Sequence, residues 1–216
     1  MSIVLVRHGE TALNASRVIQ PADTPLSERG LAQAAALARR LARERGFADR
    51  TPPGRSSAAI LSSDLPRALQ TATAIASETG LEVRTTELLQ ERNFGDWRGR
   101  AYDTLGFDPL ATDDAPPGGE SVVEFRARVA LAFEAILAAH RALDGDLFVV
   151  SHGLVIRTLL ERHLRLPVGA GLPASLSNTS ITVCAPNSPY EVGLLNCVRH
   201  LDADDLRDGG RGLSGF

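Results

Sequence analysis

Three apolar runs in this chain break, without a linker, into side chains able to grip an anion or move a proton. Ile3, Val4, Leu5 and Val6 lead into Arg7-His8-Gly9-Glu10-Thr11, and residues 58–61 lead into a polar turn that carries Pro66 and Arg67. Leu147, Phe148, Val149 and Val150 lead into Ser151-His152-Gly153. One such ending has a plain reading as a capped strand. Three endings that match point to a shared pocket holding two imidazoles and two guanidiniums. The natural guest is a phosphoryl group, whose charge in transfer is spread over three oxygens. Guanidinium forks bind such oxygens bidentately. One imidazole must attack phosphorus in its neutral form, which flanking arginines favour by charge repulsion. The leaving alkoxide needs a proton from an acid on the far side. Glu91 is the best candidate, with Glu10 and Asp64 behind it; Asn14 and Gln20 are neutral donors suited to phosphate oxygens.

The elements that must position these groups follow from period and punctuation. Residues 2–6 read as a short buried strand, and 12–25 as a loop interrupted by Pro21 and Pro25. Ser27 caps a helix whose apolar face runs Leu31, Ala34, Ala35, Ala38, Leu41 and Ala42 and which ends near Gly46; residues 51–55 form a surface connection. Residues 58–61 form a second strand, and Pro66 opens a helix that Gly80 ends. A weak strand over 81–85 precedes the polar, Gly-broken stretch 88–99, which holds Glu91 and the single tryptophan, Trp97. Residues 98–119 read as a lid. A long helix follows from Val122 to His140, the latter at its edge. The strand 147–150 leads into a helix over 154–163, and β-rich segments 179–184 and 191–198 complete the domain. Strands alternating with helices predict an α/β three-layer sandwich, a mostly parallel sheet with helices on both faces. In such sheets ligands bind beyond the carboxyl ends of the strands, where His8, Arg67 and His152 fall. A single domain is expected over 1–203, followed by a flexible acidic, Gly-rich tail over 204–216.

Composition narrows the partners. At 216 residues, 23% charged and with a formal net charge of −3, the chain gives no support to nucleic-acid or membrane-surface binding. No apolar run reaches membrane-span length, and Met1 leads into a strand rather than a signal peptide, so the expected setting is cytoplasmic. Cys184 and Cys197 read as reduced, buried small residues, and the five histidines show no tight ligand spacing, so no metal or other cofactor is expected. Every basic residue apart from histidine is arginine, so an arginine counts only where the chemistry demands one.

At this point the chain resembles the histidine phosphatase, or phosphoglycerate-mutase-like, superfamily over roughly residues 2–201. Arg7-His8-Gly9-Glu10 resembles the family's defining motif, with Asn14 at the expected distance. Residues 62–72 resemble its second-arginine segment, 89–99 its acid loop, 118–121 the start of its late helix, and 151–157 its second histidine. The ending 195–201 is similar to the phosphatase branch, with His200 read as a packing residue. The resemblance implies that His8 becomes phosphohistidine while Arg7, Arg67 and His152 clamp the phosphate. Glu91 then protonates the leaving group and activates water, with Asn14 and the Gly153 N–H as further donors. Pro21 stands where relatives more often carry glycine, which leaves the contact of Gln20 with phosphate open.

The expected activity is metal-independent hydrolysis of a small-molecule phosphomonoester. The same apparatus would also serve phosphoglycerate mutase-type transfer, and a catalytically silent phospho-ligand module is a third reading. Mutases of this family carry a longer, basic insertion after the acid loop. The shorter stretch 98–117 has Arg98 and Arg100 against Asp103, Asp108, Asp113 and Asp114, a balance that favours hydrolysis. Phe94, Trp97, Tyr102 and Phe107 are candidates for an apolar wall.

Overall fold

Alternation along the first strand sets the layers. From β1 (Ile3–Arg7) Ile3 and Leu5 join one buried cluster, while Val4 and Val6 join the other. The computed structural model describes residues 1–44, 58–110 and 112–202. In chain order the further elements are α1 (Ala12–Ala15), α2 (Glu28–Glu44), β2 (Ala59–Ser62), α3 (Pro66–Thr79), β3 (Val83–Thr85), α4 (Val122–Arg141), β4 (Leu147–Ser151), α5 (Gly153–Arg162), β5 (Ile181–Cys184) and β6 (Val192–Cys197).

The six strands form one sheet in the order β3-β2-β4-β1-β5-β6, with the first four parallel, β5 antiparallel to β1 and β6 antiparallel to β5. Leu37 and Leu41 of α2 and Ala72 and Ile75 of α3 pack with Val4, Val6 and Phe148. Phe125, Val129 and Ile136 of α4 and Val155 and Leu159 of α5 cover Ile3, Leu5, Leu147 and Val149. Two buried layers of this kind stabilise a sheet by removing both apolar faces from water. Among the described residues no helix is long and apolar enough to cross a membrane.

Several expectations shift by a residue or two, each for a local reason. Arg7, Ser62 and Ser151 lie inside strands, because ladder pairing follows the backbone: Arg7 sits opposite Ser151 in the β1–β4 register. The supposed loop after Thr11 contains α1, fastened by a capping box in which Thr11 Oγ1 accepts from Asn14 N and Asn14 Oδ1 accepts from Thr11 N. Leu31 is 49% exposed; Leu37 takes the place expected for it on the buried face of α2. His140 is buried rather than at the helix edge. β5 starts at Ile181 and not at Thr179, whose φ of +54° turns the backbone out of the extended conformation just before the strand. Cys184 and Cys197 are free and buried. The helix end near Gly46, the connection 51–55 and the tail 204–216 lie outside the described residues.

The stretch expected to be a lid is tied down at its start. Gly99 N donates to the Ile19 carbonyl, Ile19 N to the Arg100 carbonyl and Tyr102 N to the Arg17 carbonyl. Trp97 packs edge-on against Phe107 at 4.9 Å. Further along, Asp96 N and Gly95 meet residues 117–119: a Cβ on Gly95 would collide with the Pro117 carbonyl, and its φ of +48° also favours glycine. This close approach joins the loop carrying Glu91 to the turn that starts α4.

Candidate active site

Parallel pairing brings the two histidines together. His8 and His152 each follow the last residue of neighbouring strands in register, and their rings lie 5.1 Å apart, tilted by 56°. His8 N extends the ladder to Ser151 O at 3.0 Å, and Ser63 N does the same to Val150 O at 2.9 Å. His8, His152 and Ser63 thus line up across the carboxyl ends of three strands.

The His8 ring is oriented for attack. Its Nδ1 lies 2.7 Å from the Gly9 carbonyl, which only accepts, so Nδ1 carries the proton and Nε2 presents a lone pair. Burial, reinforced by Arg67 and Arg7, holds its pKa well below the ordinary histidine value. The Gly9 turn is fixed from the other side: Gly9 N donates to Thr71 Oγ1, which in turn donates to Arg67 O. A Cβ on Gly30 would collide with the Glu10 carbonyl, so α2 begins hard against this turn only because that residue is glycine.

His152 is held through Ser63, whose Oγ lies 2.9 Å from Nε2 and accepts from Leu65 N. With that hydroxyl proton donated to Nε2, the ring proton falls on Nδ1, which is buried and has no protein partner among the described residues. Burial and the nearby arginines also keep this imidazole's pKa well below its ordinary value.

Arg7 donates Nη1 to the Leu176 carbonyl, and Arg67 donates Nη1 to the carbonyls of Pro21 and Ala22 at 3.3 and 3.4 Å. Burial lowers both guanidiniums to about 10, yet leaves them charged near neutrality. The Nε of each is buried and has no partner among the described residues. Three unpaired buried donors, two Nε groups and His152 Nδ1, therefore surround His8. A buried donor left unmade costs about 1–3 kcal/mol, so a constellation of them marks where a ligand's oxygens belong.

Glu91 faces the same cleft. Its Oε1 accepts from Arg92 N at 3.0 Å and its Oε2 from Leu154 N in the first turn of α5 at 3.1 Å. Burial outweighs these bonds and the attraction of Arg67 and Arg7, and raises its pKa. The other two acid candidates are engaged elsewhere: Glu10 pairs with Arg29 and Ser27, and Asp64 accepts from Gln90.

The cleft is lined by Arg7, His8, Asn14, Gln20, Arg67, Glu91, Gly153, Arg92, Phe94 and Arg98. The Oδ1 of Asn14 is taken by Thr11, which leaves its NH2 for the cleft. Gln20 reaches the cleft despite Pro21, and its amide oxygen has no partner among the described residues; a half-turn of the amide aims the NH2 at the same point. Gly153 begins α5, so its end of the helix dipole faces the cleft.

Sequence reasoning missed four contributors. Arg92 and Arg98 line the cleft. Ser63 orients His152. Arg128 binds the carbonyls of Leu88 and Gln90 at 2.9 and 2.8 Å while pairing with Glu120 at 2.7 Å, and so pins the acid loop to α4. A polar residue on an otherwise apolar helix face was the available signal for Arg128. Tyr102, read as apolar wall, also stands near Glu91 and Arg7, and burial raises its hydroxyl's pKa. No group of three or more His, Cys, Asp or Glu suited to a metal occurs among the described residues.

The profile of the histidine phosphatase superfamily (branch 1) matches residues 3–191. Phosphoglycerate mutase-like protein 4 of Arabidopsis thaliana is 34% identical over 224 residues, covering 97% of this chain and 91% of that protein. The glucosyl-3-phosphoglycerate phosphatase of Mycobacterium tuberculosis is 35% identical over 210 residues, covering 88% and 89%. A mycobacterial glucosyl-3-phosphoglycerate phosphatase solved with inorganic phosphate superimposes with a TM-score of 0.70 at 29% identity, over 93% of this chain and 99% of the other. Matches this long leave little of the chain unaccounted for, and they come from phosphatases and mutase-like proteins alike: the chain belongs to the histidine phosphatase superfamily, branch 1, and is an enzyme of the phosphatase or mutase kind.

Proposed function

We propose that the protein hydrolyses small phosphomonoesters through a phosphohistidine on His8. The observation that carries this reading is the lone pair on His8 Nε2 set among unpaired donors of Arg7, Arg67 and His152, with the Glu91 carboxyl lining the same cleft. Nε2 attacks phosphorus in line, the P–O bond breaks, and the Glu91 proton passes to the departing alkoxide. Arg7, Arg67 and His152 hold the three equatorial oxygens, with Asn14, Gln20 and the Gly153 N–H as further donors. The Glu91 carboxylate then takes a proton from water, whose oxygen attacks phosphorus, and the P–N bond breaks to release phosphate. The guanidiniums supply the positive charge, so the scheme uses no metal.

Phosphoglycerate mutase-type transfer is the second reading, and one observation favours it. The aspartates of 98–117 do not line the cleft; Arg98 does, as does Arg92. The acidic balance of that stretch therefore does not carry the choice of hydrolysis. Among the described residues the Arg98 guanidinium makes no hydrogen bond or salt bridge, and only the more distant charge of Glu120 attracts it, which suits a leaving group bearing a second anion, such as the acid group of a phosphoglycerate. The deciding experiment measures phosphate release and 2-/3-phosphoglycerate interconversion on one preparation. Release should outrun interconversion; the reverse would overturn the hydrolase reading. In the same assays Arg98→Gln should lower kcat/KM for 3-phosphoglycerate about tenfold relative to glycerol 3-phosphate, the usual worth of one charged hydrogen bond.

The pH profile follows from the two opposed shifts. His8 must be neutral, and its lowered pKa keeps it so as pH falls; the rate is lost only as pH drops through that pKa. Glu91 must be protonated, and its raised pKa keeps it so as pH rises; the rate is lost as pH climbs through it. The kcat/KM profile for an alkyl phosphate should be bell-shaped, limited by His8 on the acid side and by Glu91 on the basic side, and Glu91→Gln should remove the basic limb. A basic limb that survives in Glu91→Gln would assign it to another group.

A further inference from the structure

The backbone of His8 is gripped by residues that the mechanism does not use. Its carbonyl accepts from Asn178 Nδ2 at 3.0 Å and from Thr179 N at 3.3 Å. Thr179 is fully buried with a φ of +54°, a conformation that a β-branched residue keeps only when its surroundings hold it. Beyond its own turn, Thr179 is held by His200, whose Nε2 lies 2.9 Å from Thr179 Oγ1.

The direction of that bond can be worked out from both ends. Arg40 Nη1 lies 3.5 Å from His200 Nδ1, and a guanidinium only donates, so Nδ1 is the acceptor and Nε2 carries the proton. Thr179 Oγ1 in turn spends its own proton on the Asn178 carbonyl at 2.7 Å, which leaves its lone pairs for His200. Arg40 is itself fixed by Glu44 at 2.9 Å and by Cys197 Sγ at 3.3 Å. A single relay of defined polarity therefore runs from α2 through the turn after β6 to the nucleophile. Burial and Arg40 keep this imidazole neutral, lowering its pKa to about 4, so the relay is intact throughout the working pH range.

We infer that His200 is a positioning residue for the nucleophile: through Thr179 it holds the His8 carbonyl, and with it the His8 ring, in line with the bound phosphoryl group. The inference rests on His8 as the nucleophile. His200 touches no reacting atom, and its effect must fall on the chemical step rather than on the clamp.

The test is single-turnover formation of phosphohistidine beside inhibition by inorganic phosphate. His200→Leu should slow phosphoenzyme formation and kcat about 10–100-fold, the scale of a small misplacement of a reacting group. Inhibition by phosphate should stay near the wild-type value, because Arg7, Arg67 and His152 are untouched. His200→Gln, whose amide NH2 reaches Thr179 Oγ1, should recover most of the rate. Thr179→Val, which keeps the shape and removes the acceptor, should match His200→Leu, and the double variant should be no worse than either alone. Should His200→Leu fail to fold, Thr179→Val against Thr179→Ser carries the same comparison. A folded His200→Leu or Thr179→Val with a normal chemical step overturns the inference, as does an equal loss in phosphate inhibition. A wild-type protein that forms no phosphohistidine on His8 would instead overturn the reading beneath it.

Discussion

Replacing His8 by alanine should abolish turnover and the phosphoenzyme together. Among the described residues of the cleft, the ring alone presents a neutral nitrogen lone pair to the unpaired donors of Arg7, Arg67 and His152, because the proton on Nδ1 is committed to the Gly9 carbonyl. His152 is no substitute: its Nε2 is taken by Ser63, and its free Nδ1 carries a proton. Removing a covalent nucleophile typically costs ~10⁶ in kcat. The fold should tolerate the change, since the contacts of residue 8 with Ser151, Asn178 and Thr179 are made by backbone atoms. The measurement is acid-labile incorporation of labelled phosphate, with a thermal melt as the folding control. Label trapped on the variant, or on a residue other than His8 in the wild type, would sink the mechanism.

Glu91→Gln should separate substrates by their leaving groups. With alkyl phosphates the departing oxygen needs a proton, and loss of the acid should slow phosphate release ~10²–10⁴-fold. Nitrophenolate leaves without protonation, so nitrophenyl phosphate should suffer far less in the first step. Geometry adds a control. Glu91 accepts from two backbone N–H groups, of Arg92 and Leu154, and a glutamine has one oxygen to offer them. One N–H therefore meets an NH2, and the acid loop pays a local cost that falls on both substrates alike. The informative quantity is the ratio of the two losses, not either alone. Equal losses would remove Glu91 from the acid's role.

The outcome of the sequence reading divides along physical lines. Periodicity and punctuation are local, so the helices opened by Ser27 and Pro66, the long helix from Val122 and the stop at Gly80 were legible to within a residue or two. The abrupt change from apolar strand to Arg, His or Ser was local as well, which is why Arg7, His8, Arg67 and His152 could be named from the chain alone. Glu91 was recognisable because an acid in a Gly-broken, aromatic loop has few structural uses. The small helix α1 escaped because four residues held by one capping box leave no periodic trace.

What the chain did not reveal depends on atoms brought together from far along it. His8 and His152 meet because β1 and β4 pair in parallel and in register, and register is a property of two strands, not of either sequence. Arg98 was counted with an acidic stretch, but only the anchoring of 99–102 to residues 17 and 19 decides that its side chain lines the cleft while the aspartates do not. Ser63 and Arg128 look like ordinary polar residues until a ring and a loop are laid against them. His200 read as packing, and its bond to Thr179 became visible only with the turn after β6 folded over the end of β1. Residue type and spacing thus determined which groups could do the chemistry. Long-range pairing and packing decided which face one another, because hydrogen-bond direction, burial and the resulting pKa shifts exist only between neighbours in space.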